Sequence, residues 1–296
     1  MTSRYSVQAL ALALSELAPG EGRDLAELIL AVGGIDAVRH CNAGQLERRQ
    51  LALLTWLRES LQDDRIEFWK TRLETVGRRA DWSFLSVTDS AYPPLLRQAW
   101  HRPPYLFSSR EDLQPWPRLA AIVGSRRASD EALRFTEQAA SSLARRGFGI
   151  VSGAARGVDA YAHRSAMDAS GYTVAVLPHG LGALPETGAS LLEQIRKSGT
   201  LVSEFHPGAP ATKSTYLQRN RTITGMSAFT LVVEPRTLSG SSSAAEDAAT
   251  LQRPLMLWGP DLHDQPWSQA MIEQGLAMVV RDVDDVLRHA EPASRG

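Results

Sequence analysis

The sequence lacks several features that would narrow its function at once. Its 296 residues contain one cysteine, Cys41, so the chain can form neither an internal disulfide nor a thiolate metal cluster. No run of about 18 apolar residues occurs, so we expect no membrane-spanning helix. The apolar start VQALALAL is not followed by a small-residue cleavage site, which indicates a helix and not a secretion signal. We therefore expect a cytoplasmic protein.

An excess of charge of one sign is also missing. The formal net charge is −1, so a nucleic-acid site requires a local concentration of basic residues. Residues 120–165 provide one, because they hold seven Arg against four Asp or Glu. With 43% hydrophobic and 22% charged residues, the chain otherwise has the composition of an ordinary globular protein.

Common motifs of cofactor and catalytic sites are absent as well. The chain has no G-x-G-x-x-G, no G-x-x-x-x-G-K-[ST] and no G-x-S-x-G. His179 and His206 have no carboxylate near them at the spacing of a metal site. We therefore expect no cofactor, no metal and no catalytic residue, and we interpret the chain as a binding protein and not an enzyme.

The pattern of residues divides the chain into four parts. Residues 1–80 repeat apolar side chains at helical spacing and predict a small helical domain. Residues 81–118 contain six prolines and predict an extended connector. Residues 119–290 predict the main domain, and residues 291–296 a flexible tail. A helical pattern alone leaves open whether the first part is a lid or a DNA-binding module.

From residue 119 onward, short apolar runs alternate with amphipathic segments. The runs are LAAIVG, FGIVSG, YTVAVLP, TLVSEF, FTLVVEP and PLMLWG. Strands with few polar residues that alternate with helices are typical of a parallel sheet covered on both faces. The sequence thus predicts an α/β fold with a doubly wound, mainly parallel, Rossmann-like sheet. The segment AMVVRDVDDVLRH adds a strand and a terminal helix at one edge.

Small and basic residues follow these predicted strands. In a doubly wound sheet the ligand binds beyond the carboxyl ends of the strands. Glycine lets backbone amides approach a phosphate, the next helix adds positive potential at its N-terminus, and arginine adds a bidentate charge. A strand–Gly–helix turn can also be no more than a tight turn. The candidate anion-binding residues in these loops are Gly124, Ser125, Arg126, Gly153, Arg156, Gly157, Ser239, Gly240 and Ser241.

A second basic element is the insertion YLQRNRTITG, which precedes the run FTLVVEP. Its Arg219, Asn220 and Arg221 are further candidates for the anion site. If the insertion is extended, the two arginines share a face; if it is helical, they diverge and only one reaches the ligand. Glu204 and Glu234 end predicted strands, where a carboxylate can serve as a base or hold one of these arginines by ion pairing; we favour the ion pair. Tyr161 and Phe205 are candidates for base stacking.

Four ordered groups of segments resemble motifs of the DNA-processing protein A family, also called DprA or Smf. They are AIVGSRRAS, VSGAARGVDAYAHRSAM, LVSEFHPG with RNRTITGMS, and LVVEPRTLSGS. The resemblance implies that the chain binds single-stranded DNA in a positively charged pocket lined by the candidate residues above. It also implies loading of the RecA recombinase during natural transformation and a homodimer. In addition, it implies supporting roles for Asp159 as a helix N-cap and loop anchor and for His163 as a packing or hydrogen-bonding partner.

Parts of the chain depart from the family pattern. The segment LPHGLGALPETGAS lacks the usual YP-x-x-N, and SGSSSAAEDAA brings Glu246 and Asp247 near the anion site. We also expect no C-terminal winged helix, which many members carry. The segment SSAAE faintly resembles the PGG-x-GT-x-x-E loop of nucleotide phosphoribohydrolases in the same superfamily. The alternatives are therefore a nucleotide-binding or nucleotide-hydrolysing protein that needs Glu246, and a scaffolding protein whose pocket is vestigial.

Overall fold

The structure is a computed structural model in which the chain forms two compact units. The first comprises Met1–Gln114, His179–Leu184 and Ser203–Pro210, and the second comprises Pro115–Pro178, Pro185–Val202 and Ala211–Gly296. The structure describes residues 5–18, 20, 22–42, 44–77, 82–111, 118–183, 188–234, 240–260 and 262–291, without the side chains of 240, 241 and 263.

The first unit begins with helices whose apolar spacing follows the sequence pattern. In α1 every residue from Ala9 to Leu14 is buried, and α1 packs against α5. Leu25 and Leu28 of α2 are also fully buried, as expected for an amphipathic helix that faces a core. The helices are α1 (Ser6–Leu17), α2 (Arg23–Val32), α3 (Ala37–His40), α4 (Arg48–Ser60) and α5 (Asp63–Gly77).

The proline-rich stretch that follows contains regular structure and is not simply an extended connector. It forms β1 (Ser83–Ser86), α6 (Pro94–Gln98) and β2 (Tyr105–Ser108). The two strands pair antiparallel, and the Tyr92 hydroxyl donates a hydrogen bond of 2.8 Å to the carbonyl of Pro103. The described prolines of this stretch lie outside the paired strands, and Pro94 occupies the first helical position, where its missing N–H costs nothing.

The second unit alternates strands and helices as the sequence predicts. Its first half is β3 (Arg118–Gly124), α7 (Asp130–Arg145), β4 (Phe148–Ser152), α8 (Val158–Asp168), β5 (Thr173–Val176), α9 (Ala189–Ser198) and β6 (Thr200–Ser203). Its second half is α10 (Lys213–Met226), β7 (Phe229–Val233), α11 (Gly240–Thr250), β8 (Leu255–Trp258), a 3₁₀ turn (Leu262–Asp264), α12 (Pro266–Glu273), β9 (Met278–Val279) and α13 (Val283–Ala290).

The strands of the second unit form a parallel sheet in the order β6-β5-β4-β3-β7-β8-β9. The central strands are buried on both faces, and Ala120, Ile122, Ile150 and Leu231 are fully buried. Helices on the two faces account for this burial, which is why the strands read as continuous apolar runs. The predicted α/β fold with a doubly wound, mainly parallel sheet is confirmed.

The strand order reverses between β3 and β7. From β3 the chain proceeds to β4 on one side, and later to β7 on the other side. The carboxyl ends of β3 and β7 lie side by side, since Gly124 is in register with Val233. In open α/β sheets this reversal opens a crevice in which ligands bind. A ligand site is therefore expected at the loops after β3, β4 and β7.

Helix length and polarity also bear on membrane association. Among the helices that the structure describes, none is both long enough and apolar enough to cross a bilayer.

Candidate functional site

The loop after β3 is tied to both neighbouring elements by backbone hydrogen bonds. The Ser125 amide donates to the carbonyl of Val233 at 3.3 Å, and the Ser125 carbonyl accepts from the Val158 amide at 3.2 Å. The Ser125 hydroxyl accepts from the Arg127 amide at 3.1 Å. These three hydrogen bonds fix the loop. The side chain of Arg126 is exposed at the carboxyl edge of the sheet.

The loop after β4 packs directly on the loop after β3. Gly157 has φ +80°, and a Cβ there would lie 2.3 Å from the Ser125 carbonyl oxygen and 3.0 Å from Arg126 Cα. A glycine is required here because both the backbone conformation and the contact exclude a side chain. Arg156, immediately before it, is exposed. The two loops together therefore present Arg126 and Arg156 at one edge.

Asp159 holds the loop after β4 from the first turn of α8. Its Oδ2 accepts from the amides of Gly153 at 3.2 Å and Ala155 at 3.4 Å. Burial raises the pKa of this carboxyl, while Arg219 and the two amides oppose the rise. The helix N-cap is Gly157 and not Asp159, so Asp159 anchors the loop from within the helix.

Arg219 lies behind this loop and not on the surface. Only 4% of the residue is exposed, and its Nη1 donates to the carbonyl of Val176 at 3.2 Å. Burial lowers the pKa of its guanidinium, and the negative charge of Asp159 counteracts this. A Cβ at Gly153 would lie 1.3 Å from Nη1, so the guanidinium fills the space that this glycine leaves. Its position favours a structural role for Arg219 beneath the edge.

His163 belongs to the same buried group. Its Nδ1 is 2.6 Å from Thr173 Oγ1, whose hydroxyl hydrogen is directed to the carbonyl of Ile150. The histidine must therefore donate from Nδ1, since the threonine proton is already used. Burial, with a smaller contribution from Arg219, lowers the pKa of His163 to about 3. The ring is neutral at physiological pH and contributes packing and one hydrogen bond.

The insertion that carries the two arginines forms helix α10. Of the extended and helical alternatives that the sequence leaves open, the helical one is therefore correct. Thr212 caps it by accepting from the Thr215 amide. Arg219 is directed towards β5, whereas the Nε of Arg221 lies 3.7 Å from Asp247 Oδ1 on α11. The arginines therefore diverge. Asn220, between them, is buried at 8% exposure.

Tyr216 is a residue of this edge that the sequence analysis did not select. Its ring centroid is 5.3 Å from the guanidinium carbon of Arg126 and 5.8 Å from that of Arg219. The ring is 38% exposed, as is Tyr161 on α8. Tyr216 and Arg219 are spaced i, i+3, which brings them together only because the insertion is helical. An exposed ring beside a guanidinium can stack a planar group next to an anion.

The remaining expected residues are distributed as follows. Glu234 has φ +46°, and its Oε2 accepts from the Ser129 amide at 2.8 Å, at the start of α7. Glu204 belongs to the first unit, as does Phe205. Gly240 begins α11, Ser241 follows it, and Ser239 lies outside the described residues.

Two non-glycine residues at this edge adopt a left-handed backbone. Ala154 has φ +53° after β4, and Glu234 has φ +46° after β7. Such conformations cost about 1–3 kcal/mol each and persist where the surroundings impose them. Within the described part of the chain, no group of three or more His, Cys, Asp or Glu side chains could hold a metal ion.

Comparison with known proteins gives this arrangement a family. The family model of DNA recombination-mediator protein A matches residues 83–291, which include every loop of the edge. The chain belongs to this family.

Individual members of the family differ considerably from this chain. It is 33% identical over 207 residues to the protein Smf of Synechocystis and 35% identical over 210 residues to the protein Smf of Escherichia coli. These alignments cover 67% and 68% of this chain, but 52% and 54% of the two relatives. The chain thus spans about half the length of the curated relatives it matches.

A solved structure in the family is similar over most of its length. DNA processing protein A from Helicobacter pylori, described for its unique single-stranded DNA binding mode, is 26% identical with a TM-score of 0.62. The match covers 72% of this chain and 97% of that one. The resemblance that the sequence motifs indicate, to the DprA or Smf family, is confirmed.

Proposed function

We propose that the chain binds single-stranded DNA at the carboxyl edge of its parallel sheet. The observation that carries this proposal is the exposed Tyr216 ring with the Arg126 guanidinium carbon 5.3 Å from its centroid. Guanidinium groups bind phosphates, and exposed aromatic rings stack on bases at about 1–3 kcal/mol per base. The single-stranded DNA binding mode described for the Helicobacter protein supports the same ligand.

In this proposal, phosphates and bases meet different parts of the edge. The exposed side chains of Arg126 and Arg156 take the backbone phosphates. Tyr216 takes a base, and Tyr161 is the second candidate. Contacts of this kind do not read base edges, so binding is tolerant of sequence and sensitive to salt.

We further propose a role in recombination. Family membership supports transfer of the bound strand to a RecA-type recombinase, during natural transformation, by a cytoplasmic homodimer. This part of the proposal depends on the family alone.

A titration with three ligands tests the proposed function. Fluorescence anisotropy is followed as the protein is added to a labelled oligodeoxythymidine, to a duplex of the same length, and to a labelled nucleoside monophosphate. We expect the single strand to bind at least about tenfold more tightly than the duplex, because only unpaired bases can stack on Tyr216. The monophosphate should bind more weakly still, since it offers one phosphate and one base.

The opposite order would reverse the assignment. Tighter binding of the monophosphate than of the oligodeoxythymidine would favour a small-nucleotide site, and hydrolysis that is lost in Glu246→Gln would make the protein an enzyme. Equal affinity for duplex and single strand would exclude base stacking as the source of selectivity.

A further inference from the structure

An ion pair joins α10 to α11 beside the proposed DNA site. Arg221 Nε is 3.7 Å from Asp247 Oδ1. Of the two side chains, 27% of Arg221 and 13% of Asp247 are exposed, so the arginine retains access to solvent. Arg221 is one of the three residues of the insertion that the sequence predicts at the anion site. In the structure, the Arg221 guanidinium forms an ion pair with the Asp247 carboxylate of the same chain.

The Asp247 carboxylate lacks one of the hydrogen bonds that it could accept. Its Oδ2 is buried and has no hydrogen-bond partner among the described residues. A buried carboxylate oxygen without a donor is costly, since ionised groups lose their hydration on burial. Glu246, its neighbour on α11, is exposed and incurs no such cost. The ionised form of Asp247 is therefore held in an unfavourable environment.

The surroundings of Asp247 identify the groups that control its charge. Burial raises its pKa to about 6; Arg221 from α10 opposes the rise and Glu246 on α11 adds to it. Strands β7 and β8, which pack on α11, have no ionisable side chain. In β3 the single ionisable group is Arg118, which starts the strand and lies over Phe148. Among the residues that the structure describes, Arg221 is thus the cation that lies against Asp247.

The direction of α10 determines where the Arg221 side chain can extend. Helix α10 ends at Met226, shortly before β7 begins at Phe229, so its N-terminus lies at the carboxyl edge of the sheet. Helical side chains lean towards the N-terminus of their own helix, over the preceding turn. A released Arg221 therefore extends towards the N-terminal end of α10, on the side of the helix that faces α11 and not on the side of Arg219.

We propose that the Asp247 carboxylate competes with a DNA phosphate for the Arg221 guanidinium, and that protonation of Asp247 releases this guanidinium to the bound strand. The inference rests on the proposed function, since it assigns a regulator to the same site. Two negative groups cannot share one guanidinium without repulsion, so the ionised Asp247 weakens binding and the neutral form does not. Binding then strengthens as the pH falls through about 6.

Two variants of adjacent acids test this inference. Asp247→Asn removes the competing charge and keeps the shape of the side chain. Glu246→Gln removes one negative charge at the neighbouring, exposed position and serves as the matched control. Affinity for a labelled oligodeoxythymidine is measured by anisotropy for the parent protein and both variants, at constant salt, at several pH values from about 5 to about 8. Thermal unfolding of each variant confirms that it is folded.

The ratio of affinities between Asp247→Asn and the parent is the decisive quantity. We expect Asp247→Asn to bind about threefold to tenfold more tightly near pH 8, with the ratio falling towards one near pH 5. Groups that titrate elsewhere change all three proteins alike and cancel in the ratio. Glu246→Gln should stay near the parent throughout.

Each other result has a defined meaning. Weaker binding by Asp247→Asn, or a ratio of one at every pH while the parent binds, overturns the inference and makes the Arg221–Asp247 pair a structural link between helices. A ratio that Glu246→Gln reproduces also overturns it, because general charge would then explain the change. Absence of oligodeoxythymidine binding by the parent at every pH overturns the proposed function and this inference together.

Discussion

Replacement of Gly157 by alanine should destabilise the second unit by about 3 kcal/mol or more and remove single-stranded DNA binding. Gly157 has φ +80° and ψ −131°, which is a region that side chains rarely adopt. An added Cβ would also lie 2.3 Å from the Ser125 carbonyl oxygen, a backbone atom held by its own hydrogen bonds. Relief of this contact requires the loops after β3 and β4 to separate, which displaces Arg126 and Arg156.

Gly147→Ala is the matched control for this prediction. Gly147 also has a positive φ, +81°, but a Cβ there would meet no atom within 4 Å. Gly147→Ala should lower the free energy of unfolding by about 1–2 kcal/mol, because only the left-handed backbone conformation is penalised. DNA binding should stay intact. Hydrogen exchange of the α7 and α8 amides, measured at increasing urea, reports the stability of this part of the chain. Equal losses of stability in Gly157→Ala and Gly147→Ala would contradict the close packing of the loops after β3 and β4.

The second large effect is expected at Arg219. Arg219→Met should destabilise the second unit by about 3–5 kcal/mol, because it leaves the buried carboxylate of Asp159 without its cation. The double variant with Asp159→Asn should recover a large part of this loss, since the uncompensated charge is then gone. The asparagine oxygen can still accept from the Gly153 amide. The four proteins form a double-mutant cycle, and strictly additive losses would contradict the coupling.

The pH dependence of the Arg219→Met variant follows from the sign of the Asp159 shift. Burial raises the pKa of Asp159 above its ordinary value of 3.8, and loss of Arg219 raises it further. A carboxyl with a raised folded pKa stabilises the fold below its unfolded pKa, and this stability is lost as the pH rises through the folded pKa. The penalty of Arg219→Met should therefore be larger at neutral pH than near pH 4, and Asp159→Asn should abolish this dependence.

The buried position of Arg219 could not be inferred from its residue type. Arginine is mostly exposed in proteins, so a pair of arginines in a short insertion suggests a surface that binds an anion directly. The structure assigns the surface position to Arg126 and Arg156 and buries Arg219 behind Gly153. Only the three-dimensional approach of α10 to the loop after β4 distinguishes these cases.

The sequence also does not predict that the insertion is helical. The buried side of α10 includes Asn220, Thr222 and Thr224, which are polar, so apolar residues do not recur at helical spacing. The strands of the second unit, in contrast, are short apolar runs that are buried on both sides. The positions of these strands along the chain, and of the loops at their carboxyl ends, follow from these runs. The prolines of residues 81–118 predict an extended connector, but Pro93, Pro94, Pro103 and Pro104 lie between β1 and β2 and interrupt neither strand.

The proposed ion partners illustrate the limit of local reasoning. Glu234 was expected to hold an arginine, but its carboxylate accepts from the Ser129 amide instead. The acid that lies against Arg221 is Asp247, on a different helix. Sequence distance gives no measure of which side chains meet across two helices, so contacts of this kind require the structure.

The salt dependence of DNA binding tests the central claim most directly, namely that Arg126 at this edge contacts the phosphates of a single strand. Log K for oligodeoxythymidine should fall linearly with log salt, by about 0.7 for each phosphate neutralised. Arg126→Ala should lower the affinity and reduce this slope by about 0.7, whereas Arg127→Ala, its exposed neighbour, should change both less. A slope that Arg126→Ala leaves unchanged, or binding that does not depend on salt, would contradict the account.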